Sequence, residues 1–328
     1  MDAPGTRIAG KYELVEVAGS GGMATVWRAV QHGSAGFQRP VAIKRIKEHV
    51  AQESSFVRMF VEEARVCAQL VHPNIVQVHD FGDEGGRYFL VMEWIDGLSL
   101  AQFLQIADEL DTFAVWPLVA AVAIEALRGL EAAHDRVDEE GNPAPVFHRD
   151  VTPHNILLGK NGLVKLTDFG LARAMDRARI TEPNVIKGKV GYLAPEMTKA
   201  RQPTAQTDIY ALGVVLWQAL AGAPLFAGHD NIEIFLKASR GEVPPVAEPR
   251  PDVPQRFANI VERALARDPV DRFESAQQMR RVIANMLWDR DIRPEAAFLG
   301  RCVTQVCHYR DHGTMPPPSQ RPGPQGRE

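Results

Sequence analysis

Lys44 closes Val41-Ala42-Ile43-Lys44, an apolar strand-like run that sets one ammonium among residues suited to a core. A lysine at a sheet edge can snorkel to water. The stretch that follows argues for a partner instead. Phe56, Phe60, Cys67 and Leu70 fall at i, i+4, i+11 and i+14, and Glu63 lies on that same apolar face at i+7. A carboxylate turned toward a core is costly unless a cation meets it, so the two residues together predict a Lys44–Glu63 ion pair. Just upstream lies Gly19-Ser20-Gly21-Gly22-Met23-Ala24-Thr25-Val26, a G-x-G-x-x-A-x-V run. Glycines let backbone N–H groups close on a phosphate with no Cβ in the way. A plain hairpin turn accounts for the same residues. A dinucleotide-binding motif wants a helix starting inside it, whereas Thr25 to Val30 continues as a strand, which disfavours that alternative.

The elements around these residues are segregated rather than alternating. Short β-branched runs at Tyr12 to Val17, Thr25 to Val30 and Pro40 to Ile46 are followed by one helical stretch from about Glu53 to Leu70. Ile75 to Phe81 and Arg87 to Glu93 read as two more strands around the turn Asp83-Glu84-Gly85-Gly86. After Gly97 long apolar-periodic segments take over, at residues 115–134, 207–221, 255–267 and 275–288, with short strand-like pieces near residue 146 and at 156–166. Ser275 and Gln278 stand at capping-box spacing. The pattern is that of an α+β protein, a small β-rich lobe ahead of a larger helical one.

Three further motifs complete the chemistry: His148-Arg149-Asp150-Val151-Thr152-Pro153-His154-Asn155, Asp168-Phe169-Gly170 and Ala194-Pro195-Glu196. With the Gly-rich run and the Val41–Lys44 strand, these five ordered motifs resemble the eukaryotic-type protein kinases, in their bacterial Ser/Thr form, over about residues 8 to 288. The resemblance implies a bilobal fold, with ATP and Mg²⁺ as cofactors and protein substrates as partners. Gly19, Ser20, Gly21, Gly22 and Ala24 would then form the lid over the phosphates. Lys44 would hold the α- and β-phosphates and pair with Glu63, Asp150 would take the proton of the substrate hydroxyl, and Asn155 and Asp168 would hold the metal. Phosphoryl transfer needs charge neutralisation and in-line positioning more than covalent help, and these groups supply both.

The same resemblance assigns Met92-Glu93-Trp94-Ile95 to the hinge that faces adenine, with Met92 as gatekeeper and the Glu93 and Ile95 backbone as partners of the base. It places Val26, Ala42 and Leu157 in the apolar sandwich around the ring. Cys67, Val78, Phe169 and His148 match a stack linking the lobes, with Asp208 at its base, and Arg272 is the expected partner of Glu196. Arg149 would meet a phosphate on the segment before Ala194. For all of these, ordinary core packing is a compatible reading. Asp208, near the start of an apolar helix, also suits that helix's dipole and free N–H groups.

Two positions depart from the pattern. Two residues after Asp150, where Ser/Thr kinases usually carry Lys, stands Thr152. Where a Gly-Thr pair is usual before Ala194, the chain has Gly188-Lys189. The two residue types have changed places, so Lys189 is a candidate for the missing cation beside Asp150, with a solvated surface lysine and a weak or inactive enzyme as the plainer reading. Thr181 is the sole Ser or Thr between Asp168 and Glu196, in a segment rich in arginine, and is the candidate for activating autophosphorylation. Pro153 favours Ser/Thr over Tyr specificity. A small-molecule kinase and a nucleotide-binding pseudokinase scaffold are the rival functions.

Composition sets the outer bounds. The 328 residues are 45% hydrophobic and 24% charged, with 41 acidic and 37 basic side chains and a formal charge of −4, which argues against a nucleic-acid or anionic-membrane binder. Three cysteines with no CxxC pair point to a reducing, cytoplasmic setting. Neither a secretory leader nor an apolar span of bilayer length is evident. The expected domains are an N-terminal extension at 1–7, a small lobe at 8–96, a large lobe at 97–288, a helical extension at 289–313 and a Pro-rich disordered tail at 314–328. In the extension, Cys302, Cys307, His308 and His312 could suggest zinc. A helix packing Phe298, Cys302, Val306 and Tyr309 against the large lobe is the favoured account. Oligomeric state is not legible.

Overall fold

The computed structural model describes residues 2–110, 115–169, 190–199, 201–226, 231–246, 250–293 and 295–315. It has the bilobal α+β arrangement that the sequence implies. The small lobe is an antiparallel sheet of β1 (Arg7–Ile8), β2 (Tyr12–Ser20), β3 (Ala24–His32), β4 (Gln38–Ile46), β5 (Val78–Glu84) and β6 (Arg87–Glu93), in the order β1-β2-β3-β4-β6-β5. Between β4 and β5 run a short helix α1 (Glu48–Ala51) and the long α2 (Ser54–Ala68). Gly85 and Gly86 both have positive φ, +63° and +81°, as a two-residue hairpin turn between β5 and β6 requires. The chain ahead of β2 joins this lobe. Asp2 accepts hydrogen bonds from Arg45 at 2.9 Å and Arg87 at 2.7 Å.

The large lobe begins with a second antiparallel sheet, β7 (Gly97–Ser99), β8 (Ile156–Gly159) and β9 (Val164–Leu166). Its helices are α3 (Leu100–Glu109), α4 (Trp116–His134), α5 (Ala205–Ala221), α6 (Asn231–Arg240), α7 (Gln255–Ala264), α8 (Ala276–Trp288) and α9 (Ala296–His312). Residues Thr207 to Trp217 of α5 are all buried, which matches a helix apolar on every side. One continuous core joins α4, α5, α7 and α8, while two smaller apolar clusters fill the two faces of the small-lobe sheet. Among the described residues, no helix is long and apolar enough to cross a membrane.

Several expected elements are shifted. The strand expected from Ile75 begins at Val78, because the backbone at 74–76 is bonded to β9 instead: Leu166 donates to the Asn74 carbonyl and Val76 to that of Leu166, both at 2.8 Å. No strand forms near residue 146, where Val146 donates to the Ala133 carbonyl at the end of α4. Ser275 caps α8 through the Gln278 N–H, but the Gln278 side chain reaches the Glu274 amide rather than closing a box on Ser275. The buried line of α9 is Leu299, Val303 and Cys307. Phe298, Cys302 and Val306 are only partly buried beside it, so the packed face lies one residue beyond the expected one. The cause is Gly300, whose lack of a side chain turns that side of the helix onto the backbone of Lys160.

Arg272 meets Glu196 through both guanidinium ends, at 2.8 Å each, as expected. It also donates to the carbonyls of Ala266, Gln206 and Arg267 and lies 4.7 Å from the Tyr210 ring centroid. This near-complete use of a buried fork predicts that Arg272→Ala costs about 3 kcal/mol or more of stability in urea unfolding, because Glu196 is left buried and unpaired. Arg272→Lys should recover only part of the loss, since a point charge cannot replace the fork.

Candidate active site

β2 and β3 pair Gly19 with Val26 and Ser20 with Thr25, and the Gly21 N–H donates to the Ala24 carbonyl at 3.0 Å. The Gly-rich run is therefore the tip of a hairpin, with Ser20, Gly21 and Gly22 exposed. One strand over, Val26 lies opposite Lys44, and Ala42 lies opposite Met92 of β6. The period of two along β4 puts Ala42 and Lys44 on one face. Val26, Ala42, Met92, Ile95 and Leu157 gather in one apolar cluster under the hairpin. Leu157 reaches it from β8, where it pairs with Ser99.

Lys44 is buried and forms the expected bond to Glu63, with Nζ 2.9 Å from Oε1. It lies at the same distance from Asp168 Oδ1. Burial works against the ammonium, but the Asp168 and Glu63 charges outweigh it and hold the lysine's pKa above its usual value. Burial pushes the Glu63 carboxyl up to about 7, with Lys44 opposing the shift. The other Glu63 oxygen is buried without a hydrogen-bond partner among the described residues. Asn155 donates its side-chain amide to the Asp150 carbonyl at 2.8 Å and to Asp150 Oδ2 at 3.0 Å. The 3-10 turn Pro153–Asn155 leads directly into β8, and β9 leads out to Asp168, so one hairpin fixes both residues. Arg149 and Asp168 both sit at φ +65°, backbone positions that non-glycine residues seldom occupy.

The predicted stack forms below. The Cys67 thiol donates to the Phe169 carbonyl at 3.5 Å, and the His148 and Phe169 rings are 4.4 Å apart. Val78 packs against the cores of both lobes. Asp208 is fully buried, but it does not serve its own helix. Its carboxylate accepts the backbone N–H groups of His148 at 2.8 Å and Arg149 at 2.7 Å, and His134 Nε2 at 2.8 Å. Burial opposes ionisation of Asp208, yet these donors hold its pKa below the ordinary carboxylate range. Thr152 is buried, and its carbonyl accepts from the Asn155 N–H at 3.0 Å. Thr181 and Lys189 lie outside the described residues.

Sequence reasoning missed one part of this site. The Glu93 carboxylate accepts from Lys165 at 2.6 Å and from the Gln77 N–H at 2.7 Å, tying the segment before Trp94 to β9. Lys165 is a cation inside the apolar strand Val164-Lys165-Leu166, the same signal that marked Lys44. Arg28 of β3 lies 5.6 Å from the Trp94 ring centroid and pairs with Glu16 at 3.1 Å.

The protein kinase domain model matches residues 12–282. The chain is 39% identical over 268 residues to the tyrosine-protein kinase MasK of Myxococcus xanthus, covering 82% of this chain and 42% of that protein. It is 37% identical over 275 residues to the serine/threonine-protein kinase PrkC of Bacillus subtilis, covering 84% and 40%. It thus spans about two fifths of these curated relatives. The crystal structure of the PknI kinase domain of Mycobacterium tuberculosis superposes with a TM-score of 0.65 at 28% identity, covering 89% of this chain and all of that one.

The raised Glu63 pKa gives a stability prediction with a definite sign. In the folded chain this carboxyl keeps its proton above its ordinary value near 4.5. Its stabilising contribution is complete below that pH and is lost as pH rises toward 7. Glu63→Gln removes the loss. Its stability relative to the unaltered chain should therefore improve between pH 4.5 and 7.5, by on the order of 2–3 kcal/mol in guanidinium unfolding. A difference that stays constant with pH would contradict the shift.

Proposed function

The chain belongs to the protein kinase family, and on that premise we propose that it transfers the γ-phosphoryl group of ATP to serine and threonine hydroxyls of protein substrates, with Mg²⁺ as the metal. The observation that carries this reading is the position of Lys44, held 2.9 Å from both Glu63 and Asp168 beneath the Gly-rich hairpin. In this reading the hairpin from Gly19 to Ala24 covers the phosphates, and Lys44 holds the α- and β-phosphates. Adenine lies between Val26, Ala42 and Leu157, in front of Met92, with the backbone of Glu93 and Ile95 along its edge.

The donor set fits magnesium. Asn155 uses its amide nitrogen on Asp150, so its carbonyl oxygen would face the metal, and Asp168 would add a carboxylate oxygen beside its bond to Lys44. Among the described residues, no cluster of three or more His, Cys, Asp or Glu could hold a metal. Two hard oxygen donors suit an ion that keeps waters and takes phosphate oxygens for the rest. Bound there, the ion would neutralise charge on the phosphates. Asp150, oriented by the Asn155 amide, takes the proton as the substrate oxygen bonds to the γ-phosphorus and the bond to the ADP oxygen breaks.

Within the same reading, Lys189 replaces the cation absent at Thr152, and Thr181 accepts an activating phosphate. The name of the Myxococcus relative makes tyrosine the second acceptor to test. Three free thiols and a need for ATP fit a cytoplasmic setting.

With γ-labelled ATP and a generic protein acceptor, Asp150→Asn should lower transfer at least a hundred-fold while nucleotide still binds. Asp168→Ala should lose magnesium-dependent nucleotide affinity, and phosphoamino-acid analysis of the product should show phosphoserine or phosphothreonine. Unlabelled acceptor with the unaltered chain would favour the scaffold reading. Lys189→Met should lose at least ten-fold in turnover, partly recovered by the pair Thr152→Lys with Lys189→Thr. Full activity of Lys189→Met ends the exchange idea. Mass spectrometry that finds Thr181 unmodified in fully active protein ends its regulatory role.

A further inference from the structure

Helix α9 lies outside the matched kinase domain, which stops at residue 282, yet its seat is on elements that build the cleft. It packs on β7, β8 and α3 and buries Leu299, Val303 and Cys307 there. Its contact with the turn between β8 and β9 is backbone to backbone. A Cβ on Gly300 would stand 2.5 Å from the Lys160 carbonyl oxygen, and one on Gly162 would stand 1.9 Å from that of Ala296. Near its other end, Arg310 donates to the Gly97 carbonyl at 3.2 Å, where the chain leaves the hinge. The β8–β9 turn grips the same place: the Lys160 N–H donates to the Asp96 carbonyl at 2.8 Å, and Lys160 Nζ is 2.9 Å from Asp96 Oδ1.

The hairpin that α9 rests on is the one that carries the site. Asn155 precedes β8, Leu157 lies within it, and Asp168 follows β9 by two residues. A hairpin pinned at its turn has less freedom at its open end, and the open end bears the groups assigned to metal and nucleotide. We propose that docking of α9 and binding of nucleotide are coupled: the helix braces the β8–β9 hairpin and the hinge exit, so that Asn155, Leu157 and Asp168 are held ready, and bound nucleotide in turn holds the helix down. This inference rests on the cleft assignment under Proposed function. It makes Arg310 and Gly300 positioning residues, and coupling of this kind is reciprocal by thermodynamic necessity.

Cys307 reports on it directly, because it is buried in the α9 seat and reacts only when the helix lifts. Cys67, buried in α2 against the Phe169 carbonyl, reports opening between the lobes rather than at the α9 seat. The experiment is alkylation of the full chain with iodoacetamide, read peptide by peptide in a mass spectrometer, with and without saturating ADP and magnesium. Cys307 should react faster than Cys67 in the free protein, and nucleotide should slow it roughly five-fold or more. Gly300→Val should speed Cys307 alkylation and weaken the affinity for a fluorescent ADP analogue by a matching factor. Arg310→Ala should act in the same direction with less disturbance of the fold, and Arg310→Lys should restore part of the affinity. If nucleotide binds but leaves the Cys307 rate unchanged, the coupling is wrong. It is equally wrong if Cys307 opens in a variant whose nucleotide affinity is intact, or if Cys307 and Cys67 react at one rate. An unaltered chain that binds no nucleotide in a separate titration removes the cleft assignment and this proposal with it.

Discussion

A buried ammonium cannot be left without compensation, and Lys44 places that demand on most of the molecule. Stripped of water, its charge must be met by carboxylates brought from elsewhere in the chain. One comes from α2, nineteen residues on, and the other from the end of β9, more than a hundred residues away. Meeting both requires α2 to dock with Glu63 inward and the strand leading to Asp168 to approach the small lobe. Asp168 also sits in a left-handed backbone, at φ +65°, which aspartate tolerates better than most non-glycine residues. The two lobes are therefore joined by electrostatics as well as by the apolar contact of Cys67 with Phe169 and His148. A site assembled this way is complete only when the whole fold is.

The large lobe answers similar demands with different donors. Asp208 gains its compensation from two backbone N–H groups and a histidine, and in doing so fixes the turn that carries Arg149 and Asp150. Arg272 and Glu196 satisfy one another, with three main-chain carbonyls completing the arginine. Asp208 ties a loop to the buried helix α5, and Arg272 joins the Glu196 loop to the first turn of that same helix through the Gln206 carbonyl. Loops are where chemistry is carried out, and here charge rather than shape anchors them.

Much of this was legible in the residues. A cation in an apolar strand and a carboxylate on an apolar helical face were enough to predict the Lys44–Glu63 bond, because both signals are local and the cost of ignoring them is large. The order of the motifs carried the family and the bilobal fold. What stayed hidden depended on long-range geometry. The 74–76 segment has the residues of a strand, being rich in β-formers, but its hydrogen bonds go to β9. Asp208 has the position and charge to serve its own helix, yet its partners lie some sixty residues earlier. The face of α9 was misplaced by one residue because apolar spacing does not show that a glycine will let backbones touch. Lys165 carried a readable signal, a lone cation in an apolar run, but its partner Glu93 sits in a segment that the family resemblance marks for its main chain, not its side chains.

That last pair has a practical consequence. With its carboxylate committed to Lys165 of β9 and to the Gln77 N–H, Glu93 anchors the start of the segment that runs on to Ile95. If adenine binds there as proposed, a synthetic inhibitor that borrows its hydrogen bonds would meet an edge anchored at one end, through Glu93. Discrimination among such compounds would then be decided deeper in the cleft, by how much volume each can fit around the sulfur of Met92.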